Sequence, residues 1–191
     1  MPFFVKARIG PEPWTGATPL SMSAANLFLC IVFPFLMAYA AASDLLTMRI
    51  SNRVTGCVVA GFALYVPASG MGLEEIGWHL AAGAVTRTVT FAMFARGWVG
   101  GGDAKLAAGT ALWLGFGSLI DYVVVASILG GLLTLAILYA RTLPLPAITV
   151  RLPFAVRLHD MKTGIPYGIA LAAAALIVMP SAVGWERLAL M

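Results

Sequence analysis

Long apolar runs separated by short polar segments constrain this chain more than any other feature. A helix needs about 20 largely apolar residues to cross a bilayer, with a range of about 17–25. Six stretches fit or approach that length: residues 26–42, 54–71, 76–95, 106–120, 122–140 and 165–184. The fourth is short and carries glycine. Composition agrees: 61% of the 191 residues are hydrophobic and only 10% are charged. Mean hydropathy is +0.93. A soluble domain carries about 25% charged residues, so this chain lacks the polar surface a water-facing globule needs. The expectation is an all-α polytopic membrane protein, a bundle of about six transmembrane helices. It divides into an irregular segment at residues 1–25, a membrane domain at 26–184 and a tail at 185–191. The first apolar run continues without a polar stop into Ser43 and Asp44, so it reads as a retained span and not as a cleaved signal.

Charge sets an orientation. The net charge is +4, and in a membrane protein Lys and Arg gather in cytoplasmic loops. Nucleic acid is therefore not implied. If Asp44 and Asp103 face the cytoplasm, so do Arg49, Arg53, Arg96, Lys105, Arg141, Arg151, Arg157 and Lys162, leaving Lys6, Arg8 and Arg187 outside. The two cysteines, Cys30 and Cys57, sit in apolar runs without a CxxC spacing and read as small core residues. His79 and His159 stand alone, so no metal site and no cofactor are expected.

Among the eight acidic residues, Asp44 closes the first apolar run and Asp103 opens the fourth. Carboxylates near hydrocarbon are costly and tend to face a bundle interior. Asp103 follows Gly100, Gly101 and Gly102. Glycine permits unusual backbone angles and close approach of another chain, so this segment suits a site where an extended peptide arrives. There is no phosphate-binding pattern here. Two carboxylates brought together from separate helices cannot both ionise, so they share one proton. One then activates water while the other polarises a peptide carbonyl, which is aspartic proteolysis. Arg87 lies in the middle of the third run, where a charge costs at least ~2.5 kcal/mol on insertion scales. It requires a partner in the bundle or must snorkel, and a place near the aspartates is open to it. Ser51 or Asn52 can cap the second helix, Asn52 can equally neighbour Asp44, and Pro166 suits the first turn of the last helix.

Three motifs carry a resemblance. "GGGDAK" (100–105), "DLLTMRISN" (44–52) and "GIPYG" (164–168) resemble, in order, signatures of the type IV prepilin peptidases, GxGD intramembrane aspartyl proteases. The resemblance implies Asp44 and Asp103 as catalytic residues, with Gly100, Gly102 and Lys105 as the supporting loop; the residues themselves add Asn52 and Arg87 as candidate neighbours of the pair. It also implies a prepilin substrate (an Flp-type pilin or a pseudopilin), a short basic leader removed at the cytoplasmic face of the bacterial inner membrane, and a role in type IV pilus assembly and protein secretion. Ser51 stands where the family usually has proline. The chain lacks the cytoplasmic insert with paired CxxC motifs found in longer members, so it is similar to the short Flp/Tad-type members, and N-methyltransferase activity is not implied. The main competing reading is a small transporter or channel using the aspartates and Arg87 as an ion path. Such a path favours midplane carboxylates and inverted repeats, and neither is visible. An inactive assembly factor would not need both aspartates, and presenilin-type proteases carry Tyr before the first aspartate where this chain has Ser43.

Overall fold

The computed structural model describes residues 24–145 and 149–182, and the side chains of 31–145, 149 and 151–180 within them. Most of the expected 1–25 segment, the 185–191 tail and the side chain of Cys30 lie outside the described residues. Every regular element described is helical: α1 (Ala24–Thr47), α2 (Asn52–Ser69), α3 (Leu73–Ala95), α4 (Gly101–Leu114), α5 (Leu119–Thr142), α6 (Pro153–His159) and α7 (Tyr167–Ala182), with a 3₁₀ turn at Thr149–Arg151. Six of these match the apolar runs. The seventh, α6, forms within the proline-containing stretch between the last two runs, with Pro153 at the start of the helix, where its missing N–H is harmless.

The bundle is built around α4, which packs on α2, α3 and α7, while α7 also packs on α1 and α5. From Leu106 to Leu114 every α4 residue is buried. Small residues make this possible. A side chain at Gly109 would meet Val58 at 3.1 Å, and Gly83 of α3 lies against Leu112. Close backbone approach of this kind is how helices associate where lipid competes for apolar contact.

The fourth run departs from its expected 106–120 extent. The helix starts five residues earlier and stops at Leu114, because Gly115 adopts φ +63° and turns the chain. At 1.5 Å per residue, α4 is about 21 Å long, short of the roughly 30 Å hydrocarbon core. Among the described residues, only α5 is long and apolar enough to cross a membrane, and Ile31–Thr47 and Tyr167–Pro180 are shorter apolar stretches. Much of the outer surface of α5 is nevertheless apolar, with Ile120, Val124, Ile128, Leu132 and Leu135 all exposed.

The two ends of the bundle differ. At one end Trp113 packs on Phe33, Phe62 and Tyr65, and its indole N–H donates to the carbonyl of Val58 at 2.9 Å. His79 stacks on Phe62, and its Nδ1 lies 2.8 Å from the carbonyl of Leu112. Glu74, Glu75 and the 115–118 turn share a pocket at this end. Asp103 lies about 15 Å away along α4, at the other end.

Candidate active site

Asp44 stands on the buried face of α1. Phe33, Met37, Ala40 and Asp44 recur at helical spacing, and all four are buried. Three residues further on α1 ends. Met48 takes a left-handed conformation (φ 55°), and its N–H closes the last turn on the Asp44 carbonyl at 2.8 Å. The hydroxyls of Ser43 and Thr47 then hold the carbonyl of Arg49 at 3.0 and 3.1 Å. Ile50 turns inward and is buried. Ser51 caps α2, accepting from the N–H of Val54 at 3.4 Å, so the residue found in place of the family's proline starts the helix by another means.

Asp103 is in the first turn of α4, with Gly100 at the cap. Its carboxylate folds back over the cap residue, Gly100. The glycine run is therefore the start of the helix and not a free turn before it. None of the three glycines needs a left-handed angle, since the positive-φ glycines among the described residues are Gly70, Gly97 and Gly115. Their small size serves packing instead. A Cβ on Gly101 would meet the Phe94 ring at 3.1 Å, and one on Gly102 would meet the Ile50 Cβ at 3.0 Å and its N at 3.3 Å. Gly102 thus seats the segment after Asp44 directly against the segment that carries Asp103.

Each carboxylate lies against a glycine. Gly168, in the first turn of α7, donates to Asp44 Oδ2 at 2.7 Å. A Cβ there would lie 2.7 Å from the same oxygen and 2.7 Å from Ile50 Cδ1. At Gly100 a Cβ would lie 2.7 Å from Asp103 Oδ2. A side chain at either position would displace the carboxylate it supports.

Asp44 and Asp103 line one cleft of about 470 Å³, together with Met48–Asn52 and Gly100–Gly102. The two carboxylates are close enough to interact electrostatically. Asp103 also forms part of the wall of a second cavity, about 560 Å³, between α3, α4, α5 and α7. That groove is mostly apolar, lined by Val85, Val89, Met93, Val123, Ala126 and Leu171 among others. Tyr122, fully buried, lines it beside Asp103, and its hydroxyl finds no hydrogen-bond partner among the described residues. Asp103 thus separates a cleft edged by polar loops from an apolar groove.

The other residues singled out from the sequence divide. Lys105 donates to Asn52 Oδ1 at 2.6 Å, a short charge-assisted bond that ties α4 to the start of α2. Asn52 also lines the aspartate cleft. Arg87 does not line it. It lies in a separate groove between α2, α3 and α4, with its guanidinium 5.9 Å from the Phe91 ring. Cys57 is exposed, not part of the core as its apolar neighbours suggested. Pro166 is buried immediately before α7, and the Tyr167 hydroxyl lies 3.0 Å from Thr134 Oγ1. Among the described residues, no group of three or more His, Cys, Asp or Glu side chains is placed to hold a metal.

Sequence reading missed the supports of the Gly168 segment. Arg141 Nε donates to the carbonyl of Leu158 at 2.7 Å, and its Nη2 donates to Thr163 at 2.9 Å. Arg157 Nη1 donates to the Leu46 carbonyl at 2.8 Å. These two arginines fasten the connection before α7 to α5 and to the end of α1. The glycine in "GIPYG" was the available signal for the seat under Asp44, but nothing in spacing alone pairs it with a residue 124 positions away.

Comparison with curated proteins and with solved structures gives no match. The model of the type IV leader peptidase family matches residues 31–135, over half of the chain, including both aspartate segments and ending before Gly168. On that match, the chain belongs to the type IV leader peptidase family.

Proposed function

We propose that this peptidase is an intramembrane aspartic endopeptidase in which Asp44 and Asp103 form the catalytic pair. In this reading α1–α5 and α7 are embedded in the bacterial inner membrane, residues 26–184 form the peptidase domain, and the aspartate cleft faces the cytoplasm. The substrate is a prepilin of the Flp type or a pseudopilin, whose short basic leader is removed. The observation that carries the reading is the meeting of Asp44 and Asp103 in one cleft at the edge of an apolar groove.

The chemistry follows from the pair. One proton is shared between two carboxylates. The ionised member takes a proton from water, whose oxygen attacks the scissile carbonyl carbon. The protonated member donates to the carbonyl oxygen as the tetrahedral intermediate forms. When the C–N bond breaks, the first carboxyl gives the proton it took from water to the leaving amine, and the second takes back a proton from the collapsing gem-diol, which restores the one-proton pair. No covalent enzyme intermediate arises. The substrate's apolar segment suits the groove beside Asp103, and its basic leader suits the polar side of the cleft. Lys105, Asn52, Gly100 and Gly102 hold the two aspartate segments in register and take no part in proton transfer.

The test is co-expression with an Flp-type prepilin, following the mass and N-terminus of the pilin. The reading expects one cut, ahead of the apolar helix, that depends on this protein. A prepilin left intact by well-expressed, membrane-inserted protein across a panel of Flp-type substrates refutes it.

A further inference from the structure

Arg87 is a charge in an otherwise apolar helix, and the aspartate pair does not use it. The register between α3 and α4 fixes its level. Gly83 lies against Ala108 and Leu112, and Thr90 Oγ1 donates to the carbonyl of Ala104 at 3.1 Å. Arg87, between them, is therefore beside the Lys105–Ala108 turn, and Arg87 and Lys105 line the same groove, about 760 Å³ in volume. Apart from Asn52 and Thr55, the rest of the lining is apolar or small, including Val59, Ala60, Leu80 and Gly56. None of it is acidic. Among the described residues Arg87 has no carboxylate partner, its guanidinium lying 5.9 Å from the Phe91 ring centroid, and Lys105 has spent one of three donors on the neutral amide of Asn52.

Two cations at one level of an apolar groove repel each other, and each loses solvation there. An anion that brings its own apolar body would relieve both. We propose that the groove between α2, α3 and α4 is a binding site for one anionic phospholipid, its phosphate between Arg87 and Lys105 and an acyl chain along Val59, Ala60 and Leu80. The assignment rests on the membrane placement proposed above, under which Arg87 and Lys105 lie toward the cytoplasmic side, where basic pockets between helices recruit anionic headgroups. It does not depend on which residues cut the substrate. Charge complementarity selects the occupant: a zwitterionic lipid offers the same chain but returns a positive charge to a site that already holds two.

The experiment reads lipid retention, not cleavage. Full-length protein is reconstituted in nanodiscs of equal phosphatidylglycerol and phosphatidylcholine, then released and measured by native mass spectrometry. The wild type is expected to retain one phosphatidylglycerol in preference to phosphatidylcholine. The double variant Arg87→Gln/Lys105→Gln should weaken that preference roughly 30-fold, at about fivefold per cation near the surface. Gly56→Leu keeps both cations but fills the groove. A Cβ at Gly56 meets nothing within 4 Å, so this variant tests the acyl-chain contact without disturbing packing, and it too should lose the retained lipid. Inorganic phosphate at millimolar concentration should not displace it. Equal retention of both lipids by the wild type overturns the assignment, as does undiminished retention in folded Arg87→Gln/Lys105→Gln protein. Unaltered retention in Gly56→Leu, or displacement by free phosphate, reduces the site to an anion patch and overturns it as well. Displacement by a prepilin peptide would give the groove to the substrate instead, which also refutes it.

Discussion

Gly168→Ala is the most discriminating single-atom change the structure offers. The added Cβ would sit 2.7 Å from Asp44 Oδ2 and from Ile50 Cδ1, and 3.0 Å from Asp44 Cβ. Ordinary contact begins at 3.4 Å, so the carboxylate or α7 must move by about 0.7 Å. Asp44 is 5% exposed, and Ile50 blocks retreat on one side. Movement stretches the bond from the Gly168 N–H, 2.7 Å long in the native protein. A hydrogen bond to a charged group is worth about 1.5–3 kcal/mol, and a displacement of this order at a reacting group can by itself cost up to about 100-fold. Converted at about 1.4 kcal/mol per decade, the expected fall in kcat is roughly 10- to 150-fold. KM should change little, because the apolar groove is untouched. The assay is single-turnover cleavage of a purified prepilin in detergent or nanodiscs, with Gly77→Ala as the control, since a Cβ there meets nothing within 4 Å. Wild-type turnover in Gly168→Ala would refute the claim that this glycine seats a working carboxylate.

Gly102→Val should also impair cleavage more than membrane insertion. Its Cβ would press on Ile50 at 3.0 Å, and overpacking of that kind costs about 1–3 kcal/mol; normal turnover would mean the contact between the two aspartate segments is dispensable. Topology can be read by thiol labelling after Cys30→Ser and Cys57→Ser, the latter because Cys57 is exposed. Cysteines at Met161 and Arg96 should label from the cytoplasm, and cysteines at Glu74 and Gly117 from the opposite side. Labelling of Met161 and Arg96 from different sides would break the proposed orientation.

Much of the helical layout was legible because apolar runs long enough to cross a bilayer have few alternatives. The aspartate pair was legible because acidic residues are rare in such runs, and two of them bound runs at one end of the proposed topology. Four features were not. The length of α4 escaped because counting apolar residues does not register Gly115, whose positive φ ends the helix at Leu114. The packing contacts of the glycine run were not visible because sequence shows that glycine is small but not what it touches. Gly102 meets Ile50, and Gly100 lies under Asp103. The role of Arg87 was left open between pairing, snorkelling and the site because its neighbours come from α4, and the groove it shares with Lys105 exists only once α3 and α4 are in register. The bonds from Arg141 and Arg157 to backbone carbonyls are invisible for a related reason, since a carbonyl acceptor leaves no mark on residue identity.

The central claim is that Asp44 and Asp103 act as one unit. The direct measurement is the rate of prepilin leader removal by Asp44→Asn, Asp103→Asn and the double variant, each shown to be inserted and folded in equal amount. A shared-proton pair loses its function when either member can no longer exchange the proton, and groups that act together are far from additive. Both single variants should therefore fall to the residual rate of the double variant. Cleavage at a substantial fraction of the wild-type rate in either single variant would contradict the account.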